Sequence, residues 1–335
     1  MKLTIIGGGG LGHVCAAVAS SQQHCAVSML TGHPQRWNDS VSAVDPDGKI
    51  FAGRLDKISS NVSDVIPGAD VVLLCLPGYL IEQTIQRIAP FLDNGTAVGS
   101  IVSSTGFFMF AHRNLPASVP LFGFQRVPFI SRVKEYGHSS LLLGYKKELA
   151  LAVENHSDPE LLRAQMEKLF LTPTKLLASF YEAALTNSNP ILHTGRLFSM
   201  WHDWDGTPYD HQILFYREWD VASAQKLIDM DSEFMALLSR LPVREGVVPS
   251  LLDYYESHDA ISLAEKIKSI ASFQTITAPM KQIDGGWVPD FDSRYFTEDF
   301  PFGLKLIKDL AVENNIATPN IDMVLEWGMS KLMAH

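Results

Sequence analysis

The chain opens on an apolar, β-branched run, Leu3-Thr4-Ile5-Ile6, that stops abruptly at four consecutive glycines, Gly7 to Gly10. Behind them Leu11, Val14, Cys15 and Val18 recur at i, i+3, i+4 and i+7, the spacing of one helical face. Further short apolar runs follow: Cys25–Leu30, Asp70–Leu76 stopped by Pro77-Gly78, and Thr96–Val102 ahead of the polar turn at Ser103. Leu80, Ile81, Ile85 and Ile88 give Tyr79–Leu92 helical spacing. Continuous apolar strands alternating with helices predict an α/β fold, a Rossmann-type doubly wound parallel sheet covered on both faces. Leu121–Phe124, Ser140–Leu143 and Leu149–Val153 are candidates to extend that sheet.

From about Lys175 the pattern changes. Ala178–Leu185, Trp219–Leu241, Ser262–Ile270 and Leu304–Asn314 read as helices, and few strand-like runs remain. The expected organisation is a dinucleotide-binding domain over 1–174 and an all-helical substrate and catalytic domain over 175–335. No internal repeat, low-complexity stretch or Pro/Ser linker interrupts it.

Strand, glycine turn and helix is the context in which G-x-G-x-x-G carries meaning, and Gly7, Gly9 and Gly12 fit it. The first glycine allows the tight turn, the second a close approach of backbone to pyrophosphate, the third close packing of helix on sheet. Gly10 and Leu11 complete the candidate phosphate-binding turn, where free N–H groups at a helix start face an anion. Ligands of such sheets lie at the carboxyl ends of the strands, so the loops from Gly7, Thr31, Pro77 and Ser103 are expected to line one crevice, with Leu76 and Pro77 as cofactor contacts.

The second strand ends in Leu30-Thr31-Gly32-His33-Pro34-Gln35-Arg36, with no acid to hold a ribose 2′-hydroxyl. Thr31 offers a hydrogen bond, and His33 and Arg36 offer charge to a 2′-phosphate. This favours NADP over NAD, with the alternative that Arg36 stacks on adenine or lies in solvent. Nothing else in the chain points to a flavin.

Composition narrows the partners. The chain has 335 residues, 46% of them hydrophobic, a formal charge of −10 and no basic cluster, which argues against nucleic acid. No apolar run approaches the roughly 18 residues of a membrane helix. The first residues enter a strand pattern directly, with no charged and apolar leader ahead of it. Cys15, Cys25 and Cys75 lie in apolar segments without metal-ligand spacing and read as buried thiols of a reducing compartment. The expectation is a cytoplasmic protein acting on small molecules without a metal, and a homodimer on base rates.

Three polar clusters are candidates for chemistry. In Thr186-Asn187-Ser188-Asn189-Pro190-Ile191-Leu192-His193, Pro190 belongs in a helical first turn capped by Asn187 or Asn189, with His193 about one turn on. His193 is either a hydrogen-bonded core histidine or the neutral-pH acid/base a dehydrogenase needs. In Asp292–Gly303, Thr297, Glu298, Asp299 and Pro301 mark a helix start. There Asp299 either complements the helix dipole or orients a histidine, and Arg294 is positioned to grip a carboxylate in a bidentate fork. In Gln125–Arg132, Arg126 and Arg132 can hold a substrate carboxylate or cofactor phosphate, or form surface ion pairs. The acidic, histidine-containing stretch from His202 to His211 is irregularly spaced and reads as a polar loop rather than a metal site. His13 reads as a helix-surface or packing residue.

These motifs, in order along most of the chain, resemble those of the opine dehydrogenases, the octopine/nopaline dehydrogenase family. Gln125–Arg132 with Glu135-Tyr136-Gly137 resembles the family's segment closing the nucleotide domain. Thr186–Pro190 with His193, and Ser293-Arg294-Tyr295 with Glu298–Pro301 and Gly303, resemble its two more specific signatures. The resemblance implies His193 and Asp299 as a catalytic pair, with Arg294, Arg132, Gln125 and Asn189 as candidate substrate contacts. It also implies a reductive condensation of an amino acid with a 2-oxo acid, hydride passing from NAD(P)H to the imine carbon. Thr194 follows the histidine where many members carry proline, and the stretch Trp201–His211 has no match, which leaves the substrate pair open. Two rival functions are a ketopantoate reductase-like 2-oxo acid reductase and a catalytically silent dinucleotide-binding protein; fold alone does not separate them.

Overall fold

The computed structural model describes residues 1–333, and backbone contacts divide it into a unit of Met1–Ala184 and a second unit that begins at Leu185. The first contains twelve strands: β1 Lys2–Ile6, β2 Ala26–Leu30, β3 Ser40–Val44, β4 Ile50–Arg54, β5 Lys57–Ser59, β6 Val71–Leu74, β7 Ala97–Ile101, β8 Leu121–Phe124, β9 Phe129–Glu135, β10 Ser139–Tyr145, β11 Leu149–Glu154 and β12 Thr174–Leu176. Its helices are α1 Gly10–Ser20, α2 Val62–Val65, α3 Gly78–Ile88, α4 Phe107–Asn114, α5 Pro159–Phe170 and α6 Phe180–Ala184.

Eight strands form the central sheet in the order β12-β11-β8-β7-β6-β1-β2-β5. All neighbours run parallel except β8 and β11. The order turns back on itself at β1, which pairs with β2 on one side and β6 on the other, the switch point at which such sheets bind nucleotides. Every residue of β6, β7 and β8 is buried, which explains why these strands read as unbroken apolar runs.

Ser140–Leu143 does not extend this sheet. It lies within β10, in a separate sheet of order β4-β3-β10-β9. The burial along β10 alternates, with Ser140 and Leu142 buried and Leu143 exposed, so only one face is covered. The covering element is α1, which packs on strands of both sheets. That double contact makes Gly12 to Ala19 buried without a break, so α1 is apolar all round rather than amphipathic.

The division between units falls at Ala184–Leu185 instead of 174–175. β12 pairs with β11 and α6 packs on β11, so the segment 174–184 completes the first unit's sheet.

The second unit is built on α7 Asn189–Trp201, α8 Val221–Leu238, α9 Leu251–Tyr254, α10 Ala260–Ser269, α11 Arg294–Thr297, α12 Lys305–Glu313 and α13 Pro319–Met333. Asp220 caps α8 and Asp259 forms a capping box on α10. The unit is helical but not wholly so: β13 Met280–Ile283 and β14 Gly286–Pro289 form one antiparallel hairpin. α12 is preceded by a π-helical turn, Phe300–Leu304. Gly303 of that turn lies against Pro190, and a Cβ there would meet the Pro190 Cγ at 2.7 Å. Glycine therefore lets the turn close on the start of α7.

Candidate active site and dinucleotide-binding turn

In the first unit the glycine segment forms the turn between β1 and α1. Gly7 has φ +121° and is buried, a conformation that a side chain would strain. Gly12 packs on the Gly7 carbonyl, where a Cβ has no room. Gly9 is exposed, and a Cβ built on it meets nothing within 4 Å. One open glycine between two packed ones is the cradle a pyrophosphate requires, so the residues fit a dinucleotide. Leu76 and Pro77 follow β6, and the Leu76 Cδ2 lies 3.1 Å from where a Gly7 Cβ would stand.

His13 is neither on the surface nor a simple packing residue. It is 2% exposed, its Nδ1 donates to the Gly9 carbonyl at 2.9 Å, and its Nε2 accepts the Gly137 N–H at 2.7 Å. The neutral ring thus ties the glycine turn to the tip of the β9–β10 hairpin, and burial pulls its pKa below the usual histidine value. Trp37 and Tyr136 flank the ring at centroid distances of 4.2 and 5.0 Å. No sequence pattern announced this strut, because its second partner is a backbone N–H far along the chain.

Tyr136 stands beside the end of β2. Its hydroxyl is 3.5 Å from the Thr31 Oγ1, and the Arg36 guanidinium lies 4.4 Å over its ring. Thr31 is buried, while His33 and Arg36 are exposed. Arg132 lies on β9, exposed, with its Cα 3.5 Å from the place of a Gly10 Cβ. Gln125 follows β8, and its side-chain amide donates to the Glu182 carbonyl at 3.1 Å.

In the second unit α7 carries Pro190 in its first turn as expected, but the cap position falls to Ser188, which makes no side-chain cap bond, and not to Asn187 or Asn189. The Asn187 side chain accepts the Asn189 N–H at 3.3 Å, and Pro190 occupies the first turn, where its missing N–H costs nothing. His193 follows, 8% exposed. Its Nδ1 is 2.8 Å from the Asp299 Oδ2, joining two residues 106 positions apart. Asp299 stands at the first position before the π-helical turn without capping it through its side chain, and the Gly303–Pro190 approach holds that turn against α7. The His193 Nε2 is 2.9 Å from the Tyr216 hydroxyl, and the Tyr295 ring lies 4.6 Å from the imidazole. Arg294 opens α11 and is exposed.

Sequence reasoning missed Tyr216 and Arg196. Arg196 is 2% exposed and sits one turn beyond His193. It donates to the Phe215 carbonyl at 3.3 Å, the Glu218 carbonyl at 2.6 Å and the Ser223 hydroxyl at 2.6 Å, and pairs with Asp220 at 3.2 Å. These bonds bracket Tyr216 on both sides. The only signal was the aromatic density of Phe215-Tyr216…Trp219, which also suits plain core.

The histidines of the 202–211 stretch are spoken for separately. His202 bonds the Phe198 carbonyl of its own helix, and His211 pairs with Asp210 and Glu218. Among the described residues no three His, Cys, Asp or Glu side chains converge as a metal site, and no helix is long and apolar enough to cross a membrane.

A sheet with a dinucleotide-fitting glycine turn and, in the same chain, a helical unit carrying a largely buried His–Asp pair are the parts of a two-domain dinucleotide-binding protein equipped for proton transfer. Residues 176–332 match the family model described as NAD/NADP octopine/nopaline dehydrogenase, alpha-helical domain. The tauropine dehydrogenase of Arabella iricolor is 31% identical over 99% of this chain and 91% of its own. The octopine dehydrogenase of Mizuhopecten yessoensis is 28% identical over 99% and 90%. An octopine dehydrogenase solved with NADH and L-arginine superimposes with a TM-score of 0.86 at 27% identity, covering 99% of this chain and 89% of that one. The chain belongs to the opine dehydrogenase family, and its cofactor is a nicotinamide dinucleotide.

Proposed function

We propose that the chain catalyses the NAD(P)H-dependent reductive condensation of an amino acid with a 2-oxo acid, His193 and Asp299 forming its acid/base pair. The observation that carries this is the 2.8 Å contact of the two side chains, both largely buried, in a chain with a fitting dinucleotide turn. When bound, the nicotinamide supplies the hydride that reduces the imine. Gly9, Gly10 and Leu11 offer backbone N–H groups to the pyrophosphate, Gly7, whose own N–H goes to the Leu30 carbonyl, and Gly12 shape the turn, and Leu76 and Pro77 wall it. Thr31, His33 and Arg36 hold the adenosine end. The exposed Arg36 guanidinium, steadied over Tyr136, supports NADPH as the preferred form.

Asp299 accepts the Nδ1–H, which fixes the tautomer and leaves Nε2, 2.9 Å from the Tyr216 hydroxyl, as the nitrogen that takes up and gives up the proton. The carboxylate also strengthens its bond as the ring takes up a proton. Arg294 is the proposed grip for a substrate carboxylate, with Asn189 as a neighbouring polar group on the helix that carries His193. Arg132, beside the Gly10 turn, is better placed for a cofactor phosphate than for substrate. Gln125 spends its amide on the Glu182 carbonyl, which favours a structural role over substrate binding. A cytoplasmic homodimer is the proposed setting, with light scattering as its check.

The deciding experiment follows NADPH and NADH oxidation with pyruvate and a panel of amino acids, with oxo-acid-only controls. Amine-dependent oxidation, lost in His193→Ala while nucleotide still binds, supports the proposal. Oxidation with an oxo acid alone moves the chain to the ketone reductases, and binding without turnover on any pair makes it a silent dinucleotide binder.

A further inference from the structure

Both ring nitrogens of His193 are engaged. Asp299 takes Nδ1, and the Tyr216 hydroxyl takes Nε2 at 2.9 Å. A carboxylate can only accept, so Nδ1 carries the hydrogen in the neutral ring and Nε2 presents a lone pair. The partner of that lone pair must donate, and the phenol does. Once Nε2 is protonated its partner must accept, and the same oxygen can do that as well. A hydroxyl thus stays bonded to Nε2 through a whole proton cycle with no movement of either ring: as its own hydrogen passes to Nε2 it takes one from the substrate, and the reverse step restores both.

We propose that Tyr216 carries the proton between His193 and the substrate, holding the imidazole in one orientation in both its neutral and its protonated state. This rests on the reading of His193 as the acid/base. The hydroxyl is itself held in place. Arg196 clamps the Phe215 and Glu218 carbonyls on either side of it, and the ring stacks on Phe273 at 4.3 Å and on Trp219 at 6.0 Å. His193 and Arg196 are three positions apart on α7, so one helical face sets both the imidazole and the loop that serves it. The titratable groups facing the array are Asp299 from the π-helical turn, Tyr295 from α11 and Tyr255 after α9; Arg196, Glu218 and Asp220 lie along the Tyr216 loop. Burial and these acidic neighbours push the Tyr216 phenol up, so it stays protonated through the neutral range and remains able to donate.

The test uses the full-length enzyme in three forms besides the wild type: Tyr216→Phe, His193→Ala, and 2,3-difluorotyrosine placed at position 216. Tyr216→Phe keeps the stacked ring and should lose about tenfold or more in kcat, with the KM for nucleotide unchanged and the melting temperature preserved, because a ring without its hydroxyl cannot hand the proton on. Nitrogen-15 spectra of the imidazole should show the Nε2 resonance displaced in this variant. A more acidic phenol donates better to the neutral ring and accepts worse from the charged one. In the oxidative direction, where the neutral ring is the base, the fluorinated enzyme should therefore show its acid limb of kcat/KM at lower pH than the wild type, a shift that mere packing would not produce.

Tyr216→Phe within twofold of wild type, with superimposable pH profiles and an unmoved Nε2 resonance, overturns the inference while an inactive His193→Ala leaves the acid/base reading standing. Full activity in His193→Ala overturns the acid/base reading itself, and the spectra then decide the Tyr216 bond alone.

Discussion

Replacing Asp299 by Asn is the sharpest probe of the proposed pair, because it removes a charge and almost no volume. The contact is 2.8 Å long, and the two side chains are 11% and 18% exposed, so water screens it weakly. The amide oxygen still accepts from Nδ1, so what disappears is the charge-assisted part of the bond as the ring takes a proton. A hydrogen bond to a charged group contributes about 1.5–3 kcal/mol and a neutral one about 0.5–1.5, so about 1–1.5 kcal/mol is lost. That predicts a fall in kcat of about 5- to 13-fold. An amide turned to donate instead would select the wrong tautomer and deepen the loss. Steady-state rates with saturating nucleotide and varied oxo acid measure this, with the melting temperature as a folding control. An Asp299→Asn enzyme within twofold of wild-type kcat would refute the assignment of the carboxylate as the partner that matters during proton transfer.

Three further outcomes follow from the structure. Asp231 on α8 is 6% exposed, and its carboxylate accepts the Leu251 N–H at 2.8 Å. Burial, the main cause, raises its pKa from 3.8 to about 6. With the folded value above the unfolded one, its contribution to stability is full below pH 3.8 and lost as pH rises through 6. Asp231→Asn should therefore raise the unfolding free energy obtained from urea curves at pH 8, by at most about 3 kcal/mol, and not at pH 4; an equal change at both pH values would contradict it. His13 has the opposite sign. Its folded value lies below the unfolded one, so its contribution to stability is present above pH 6.5 and lost as pH falls below that value, and the urea midpoint should fall on that acid side. In His13→Gln that acid-side loss should vanish. Arg36→Ala should raise the KM for NADPH about tenfold or more over any change for NADH, and an equal change for both would remove the 2′-phosphate role.

Much of the first unit was legible because burial on both faces leaves a plain trace. Val71–Leu74 is apolar without a break and is soon stopped by Pro77-Gly78, while Ala97–Ile101, apolar but for Ser100, runs to the polar turn at Ser103. β3, β4, β5 and β9 left no such trace. They are short and half exposed, and Gly53 and Asp45 stand within or beside them. His193 and Asp299 were legible as motifs, but their contact was not, since nothing local to either residue records a partner 106 positions away. Tyr216 and Arg196 were illegible for a different reason. A buried tyrosine and a buried arginine look like surface and core residues until the backbone carbonyls that they serve are in view.

The His13 strut has a consequence for how the protein assembles. It joins residues 124 apart, and the sheet beneath the hairpin depends on β3 pairing with β10, nearly as far away. Contacts of such long sequence separation form late, because the loop between them must be closed before it returns any stabilisation. A chain emerging from the ribosome as far as β6 already owns the glycine turn, yet lacks Tyr136 and Gly137, which secure it. The nucleotide-binding edge is therefore finished only after β9 and β10 are made, and a bound nucleotide is a marker of the last stage of this unit's folding rather than its first.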